Sequence, residues 1–158
     1  MTWPKKIIFL VLILLSAMIT ALCFEGRYRT LIRFLYRYFT NGKISFIGKN
    51  FHFFSLTFIW SFGIFCVIMA YIQIGQSTTK VIRNVIVMIF ILILTTSVIC
   101  YFGSQSKIIE CTACDDGNIR LHYNEVNYNL IFLSSLIITS LPNVIKPFKN
   151  KKSFGNHY

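Results

Sequence analysis

Charged residues are scarce in this sequence, and acidic residues are the scarcest. Only 13% of the 158 residues are charged, and five are Asp or Glu against sixteen Lys or Arg. In soluble domains about a quarter of the residues are charged and about 45–50% are apolar. Here 55% are hydrophobic, which is more apolar surface than a soluble domain of this length could bury. The composition therefore excludes an ordinary soluble domain and favours a protein whose solvent is the lipid bilayer.

The motifs of common enzyme classes are missing as well. The sequence has no nucleotide-binding glycine loop, no His-Glu-x-x-His zinc motif, no Gly-x-Ser-x-Gly nucleophile motif and no internal repeat. It also has no Asn-x-Ser/Thr acceptor for glycosylation. No charged residue lies in the middle of an apolar run, where a transport pathway would be expected to have one. The function must therefore be argued from the few polar segments.

Four apolar runs are long enough to cross a bilayer, whose hydrocarbon core of about 30 Å needs about 20 helical residues. We expect one integral membrane domain over residues 1–158, an all-α four-transmembrane-helix bundle. The predicted spans are residues 6–24, 51–74, 82–102 and 127–145. The fourth is the most polar, and Pro142 predicts a stop or kink near its end. Lys5 and Lys6 before the first run would also suit a secretory signal, but Leu22 breaks the small-residue spacing that cleavage requires.

Between the first two spans, residues 27–40 predict a further, amphipathic helix. Arg29, Arg33 and Arg37 recur every fourth residue beside apolar and aromatic positions, which is typical of a helix lying in the membrane interface. Asn41 and Gly42 predict its left-handed end. Because the basic residues flank apolar runs, we expect them to contact anionic lipid head groups and not nucleic acid.

Small and hydroxyl residues mark where helices are expected to meet. Gly63 in the second span lets a neighbouring helix approach closely, which is how membrane helices pack when lipid offers no hydrophobic drive. Thr95, Thr96 and Ser97 lie together in the third span, where hydroxyls bond to their own helix or to the next one. Both features predict helix packing and not catalysis.

The one long polar segment between two membrane-length runs is the cysteine loop, residues 103–126. Its β-prone stretches at 107–113 and 118–123 flank Asp116 and Gly117, a pair typical of a tight turn. The pattern predicts a small polar loop or a β-hairpin between the third and fourth spans.

Cys111 and Cys114, the only close cysteine pair, are the candidate site of this loop. Three interpretations stay open. The pair could be a structural disulfide or two inert thiols. It could be catalytic, because one thiolate can attack a partner disulfide while the other resolves the mixed disulfide. It could also bind zinc, with Cys111, Cys114 and His122 as three of the four ligands that zinc prefers.

The charges around the pair argue against an activated thiolate. Lys107, Arg120 and His122 are the cations that could stabilise one. Three carboxylates in the same stretch disfavour a further negative charge; they belong to Glu110, Asp115 and Asp116. The redox interpretation therefore ranks below the structural one.

The positive-inside rule gives the orientation only narrowly, because basic residues are nearly balanced between the two sides. We assign the orientation from the dense lysines of the basic tail, residues 146–158, which favour the cytoplasmic side. They place both termini in the cytoplasm and the cysteine loop outside the inner (plasma) membrane of a bacterium, where disulfides persist. Cys23 and Cys100 then end at the same face as the loop. This outline resembles, in architecture alone, the four-helix membrane thiol oxidoreductases of the DsbB and vitamin K epoxide reductase families.

We expect a non-enzymatic accessory or scaffold subunit without a cofactor, whose loop contacts other membrane protein subunits within the lipid bilayer. One alternative is a thiol-disulfide oxidoreductase or metal-binding protein that uses Cys111 and Cys114. Zinc would serve the metal-binding protein, and the resemblance implies a quinone for the oxidoreductase, although those families have two cysteine pairs. A second alternative is a small transporter or channel formed by oligomerisation.

Overall fold

The computed structural model of the chain describes residues 3–48, 55–110 and 118–152. Its elements are α1 (Trp3–Phe39), β1 (Ile44–Ile47), α2 (Leu56–Gln73), α3 (Thr78–Glu110), β2 (Ile119–His122) and α4 (Tyr128–Lys152), with a 3-10 turn at Tyr123–Glu125. Within the described residues, three helices are long and apolar enough to cross a membrane: α1, α2 and the Thr78–Ile109 part of α3. These helices are compatible with the membrane-embedded protein that the composition predicts.

α1 joins two segments that the sequence pattern separates. It continues for 37 residues, so the predicted interfacial helix at 27–40 is instead the second half of the first helix. Gly26 is the one weak helix former at the junction, and a single glycine costs a helix only about 1 kcal/mol. At about 1.5 Å per residue α1 is about 55 Å long, which exceeds the ~30 Å hydrocarbon core.

The second half of α1 packs against protein along one side. The buried positions recur every fourth residue: Tyr28, Ile32 and Tyr36. The helix ends where the sequence predicts, because Asn41 and Gly42 have positive φ angles of 51° and 80°. The amide of Gly42 donates to the carbonyl of Arg37 at 2.8 Å, which satisfies one of the last carbonyls of the helix.

Neighbouring helices form a ring in the order α1, α2, α4, α3. α1 packs against α2 and α3, and α4 packs against the same two helices. α2 and α3 therefore occupy opposite corners, although only residues 74–77 separate them. Gly63 lets α2 approach α1 closely, as predicted, since a Cβ there would lie 2.9 Å from Cδ1 of Leu14 on α1.

The two strands lie far apart in the sequence and pair in parallel. Ile44 is opposite Ile119 and Ile47 is opposite His122. The predicted hairpin within the cysteine loop is therefore wrong for the part of the loop that is described. Residues 107–110 continue α3 because no Gly or Pro in 104–110 ends the helix. The second β-prone stretch instead pairs with β1; residues 111–113 of the first stretch are outside the described residues.

Two strand residues fix the sheet to the helices. Ile44 and Leu121 are buried in the same core cluster as Tyr36 of α1. We call residues 25–48 and 118–127 the cap, since they lie beyond the apolar part of α1. The cap thus belongs to the helical core and is not a separate layer.

The core of the bundle differs between its two ends. At the closed end, where the cap joins the bundle, Tyr28, Phe58 and Phe132 are almost completely buried, with 3.8 Å between the ring centroids of Phe58 and Phe132. From Tyr28 and Thr96 toward the open end, which faces the turn between α2 and α3, a cavity of about 590 Å³ is lined by α1, α2 and α3 with Thr139 of α4. Cys66 and Met88 belong to this lining. Packing is therefore dense at one end and incomplete at the other.

Candidate functional site

The structure describes one of the three predicted site residues. Cys111 and Cys114 lie outside the described residues. His122 is exposed at the end of β2, and its ring lies so close to Gly48 that a Cβ there would be 2.6 Å from Cε1. In the described ranges, no group of three His, Cys, Asp or Glu side chains could hold a metal ion. The redox and zinc interpretations of the loop stay predictions.

The remaining cysteines occupy different environments. Cys23 is exposed, Cys66 is partly buried and Cys100 is fully buried. α1 and α3 end beside each other, because the Gln105 side chain donates to the Phe39 carbonyl at 3.2 Å. Cys23 and Cys100 therefore lie in the halves of their helices that lead to the cap, but one thiol is exposed and the other is enclosed.

The most unusual polar side chain of the described chain is Glu25. It is the only acidic residue before Glu110, and it is fully buried where α1 leaves its apolar run. Arg29, one turn later, donates to its Oε1 from Nε at 3.0 Å and also from Nη2. A buried carboxylate is costly unless it is paired and hydrogen-bonded. Arg29 supplies both the opposite charge and the hydrogen bonds.

Glu25 also holds the beginning of α2. The backbone amide of Ser55 donates to both carboxylate oxygens, at 3.2 Å and 3.1 Å. The Ser55 hydroxyl then accepts from the amide of Phe58 and caps the helix. A carboxylate at this position is further stabilised by the positive end of the helix dipole. The Glu25 carboxylate thus binds both the Arg29 guanidinium on its own helix and the backbone amide at the N-cap of α2.

The arginines of α1 pack against tyrosines that precede or begin α4. The guanidinium carbon of Arg29 lies 5.2 Å from the ring centroid of Tyr128, and that of Arg33 lies 4.9 Å from the ring centroid of Tyr123. Such stacking stabilises a cation by about 0.5–2 kcal/mol. The predicted basic stripe therefore partly faces the protein. The buried hydroxyl of Tyr128 has no hydrogen-bond partner among the described residues.

A chain of buried hydroxyls joins three helices at the closed end. The hydroxyl oxygens of Tyr28 and Thr96 are 2.9 Å apart, and Thr96 donates to Ser135 at 3.2 Å. Thr95 and Ser97 bond only to carbonyls of their own helix. Of the hydroxyls predicted to take part in packing, Thr96 alone reaches across to α1 and α4.

Sequence reasoning missed the role of Glu25. A signal was present, because an isolated acid four residues before Arg29 is the favourable spacing for an ion pair on a helix. The contact with Ser55 had no such signal, since Glu25 and Ser55 are 30 residues apart and their contact depends on how α1 and α2 pack. No protein-family model, no curated protein and no solved structure matches the chain.

Proposed function

We propose that the chain is a four-span integral membrane protein that serves as a non-enzymatic accessory or scaffold subunit. α4 supplies the fourth span. Its Ser135 accepts the hydrogen bond from Thr96 inside the ring, and its Phe132 fills the closed end. If α4 lay outside the bilayer, the hydroxyl of Thr96 would face hydrocarbon without this acceptor, which is unfavourable.

The observation that carries the accessory role is the attachment of the cap to the bundle. Glu25 of the cap accepts hydrogen bonds from the amide of Ser55 at the beginning of α2, and Ile44 and Leu121 of the cap are buried in the core cluster, so the cap presents a fixed surface. Its exposed side chains include four basic ones: Arg27, Arg37, Lys43 and Arg120. A fixed basic surface favours an acidic partner, because complementary charge guides association and sets the orientation.

The sheet adds a second means of recognition. Within the described residues it has two strands only, and an extended segment of a partner could pair with a strand edge through main-chain hydrogen bonds. We therefore place the partner, another membrane protein subunit, against the cap.

Anionic lipid head groups are the second proposed partner. Arg29 and Arg33 lie one and two turns beyond the position at which the apolar run ends, which is the depth of the phosphate layer. Both are only partly buried. A phosphate oxygen could accept hydrogen bonds from both guanidinium groups. Lipid phosphate would thus add to the polar contacts of the cap.

The proposed orientation has the cap outside the bacterial inner membrane and both termini in the cytoplasm. It can be tested with single-cysteine variants in intact cells and a membrane-impermeant thiol reagent. The reagent should label Cys114, and it should label a Ser153→Cys variant only after the membrane is opened. The opposite pattern would invert the orientation.

The accessory role can be tested with a photo-crosslinking amino acid placed at single sites in living cells. At Arg120, in the cap, we expect one adduct of defined mass with a membrane protein. At Ile86, which is exposed on the outer side of α3, we expect no discrete protein adduct, because lipid surrounds this position.

The cysteine pair provides the control that separates a subunit from an enzyme. The Arg120 adduct should persist when Cys111 and Cys114 are both replaced by Ser. Loss of the adduct in that variant, together with a reducible mixed disulfide trapped by Cys114→Ser alone, would establish the thiol oxidoreductase instead. Equal adducts from both crosslinking positions would also contradict the docking surface.

A further inference from the structure

The cavity at the open end has the size of a ligand site. Its volume is about 590 Å³, whereas sites for small molecules measure about 300–1,000 Å³. α2 and α3 supply most of its wall with apolar or flexible side chains: Cys66, Met69, Ala70, Val85, Met88 and Leu92. Methionine adapts to irregular partners because its side chain is unbranched and flexible. The wall therefore suits an apolar occupant of variable shape.

The position of the cavity indicates that its occupant is a lipid. The wall belongs to the three helices that are apolar enough to cross a membrane, together with Thr139 of α4. Water is disfavoured in a mostly apolar cavity, which offers too few hydrogen bonds. An unfilled cavity would lose the dispersion contacts of its lining atoms. An apolar chain drawn from the surrounding bilayer restores these contacts.

The polar end of the cavity selects among lipids. Ser135 donates its hydroxyl proton to the carbonyl of Ile131 at 2.8 Å, and Thr96 donates its proton to Ser135 at 3.2 Å. Thr96 has only one proton, so in its 2.9 Å contact with Tyr28 it must accept. Tyr28 therefore donates to Thr96. The Tyr28 oxygen retains lone pairs but has no proton left to offer a ligand.

The other hydroxyls of the wall are arranged in the same way. Thr20 donates to the carbonyl of Ser16 at 2.8 Å, and Thr139 donates to the carbonyl of Ser135 at 2.7 Å. The hydroxyls of the wall thus offer acceptors, whose natural complement is a ligand that donates. A quinone, which has only carbonyl and ether oxygens, finds no free hydroxyl proton there. The amide of Gln73 could donate, but it lies at the far end of α2.

We propose that this cavity binds one neutral membrane lipid that bears a free hydroxyl group, with the apolar chain between α2 and α3 and the hydroxyl donated to Tyr28. A polyisoprenoid alcohol and a diacylglycerol both have this chemistry. The proposal requires the bundle to lie in the bilayer, but it does not require the cap to dock a partner.

The test is direct binding to the full-length protein in detergent micelles. Tritiated farnesol, an isoprenoid alcohol, is the probe, and the competitors are unlabelled farnesol, a short-chain diacylglycerol, farnesyl methyl ether and a short-chain ubiquinone. We expect the alcohols to compete and the ether to compete at least about fivefold less well, because one hydrogen bond is lost. The better competitor of the two alcohols identifies the source of the natural ligand.

Variants locate the site. Tyr28→Phe should weaken the binding of farnesol about fivefold, because it removes the acceptor oxygen, and should leave the binding of the methyl ether unchanged. Ala70→Leu adds bulk to the cavity wall and should abolish binding. Ile86→Phe, which adds bulk on the exposed face of α3, is the control and should bind normally.

Three results would overturn the proposal: equal affinity for farnesol and its methyl ether, stronger competition by the ubiquinone, or normal binding to Ala70→Leu. None of them would alter the Arg120 crosslink that tests the docking surface, so the two proposals can fail separately.

Discussion

The closed and open ends of the bundle are built from the same four helices but differ in how their interiors are filled. At the closed end, three aromatic rings and a chain of three hydroxyls together join all four helices. Toward the open end, Met69 and Ala70 of α2 and Met88 of α3 line a cavity. Directional contacts at one end therefore suffice to hold the ring, and the other end is free to contain a ligand.

This difference follows from the physics of packing in lipid. Membrane helices gain little by hiding apolar surface from an apolar solvent, so close contacts and hydrogen bonds must hold them together. The closed end supplies both, and the Glu25 contacts add an ion pair at its border. Substitutions at the closed end should therefore be costly, and substitutions at the open end should be tolerated.

The largest effect is expected at Glu25. Replacing it with Ala leaves Arg29 and the Ser55 amide without their acceptor. Removing one partner of a buried ion pair costs about 3–5 kcal/mol, and here about 2–3 kcal/mol is expected because Arg29 partly reaches solvent. Unfolding in a titration with sodium dodecyl sulfate measures the change. Glu125→Ala, at an exposed acid of the cap, is the matched control, and an equal loss there would remove the special role of Glu25.

Phe132→Ala should have the next largest effect. The ring is fully buried against Phe58 and Tyr28. Truncating a buried Phe in a soluble core costs about 3–5 kcal/mol, and about 2 kcal/mol is expected here because lipid contributes no transfer term. Phe90→Ala, on the exposed face of α3, should change the same unfolding midpoint by far less. Similar losses at the two positions would contradict a dense closed end.

The smallest of these effects is expected at Ser135. Ser135→Ala removes the acceptor of the Thr96 proton, and interhelical hydrogen bonds in membranes contribute about 0.6 kcal/mol on average. Ser97→Ala removes a hydroxyl that bonds only within α3 and should be close to neutral. The thermal midpoints of both variants in one detergent provide the comparison. A neutral Ser135→Ala would show that the hydroxyl chain does not hold the helices.

Local features of this fold could be predicted from the sequence. Run length located the helices, and Asn41 and Gly42 marked the end of α1, because both signals depend on residues close together in the chain. The helix limits were less accurate. α3 begins at Thr78 and continues to Glu110 instead of ending at residue 102, since residues 104–110 include no Gly or Pro that would end the helix.

Long-range contacts could not be predicted. Ile44 of β1 pairs with Ile119 of β2, about 75 residues later in the chain. Nothing in the sequence of either strand indicates that the other is its partner. Tyr28, Thr96 and Ser135 come from three helices, so their hydrogen bonds depend on helix rotation. Periodicity cannot give that rotation for α2 and α3, which are apolar on nearly all sides.

One matched pair of substitutions tests the difference between filled core and cavity most directly. Ala21 is fully buried in the filled core, and Ala70 lines the cavity. Ala21→Leu should lower stability by about 1–3 kcal/mol, the usual cost of overpacking. Ala70→Leu should be neutral or slightly stabilising in the same unfolding assay, because the added side chain enters empty space. Equal losses at both positions, or a larger loss at Ala70, would show that the space beside Ala70 is packed as densely as the core around Ala21.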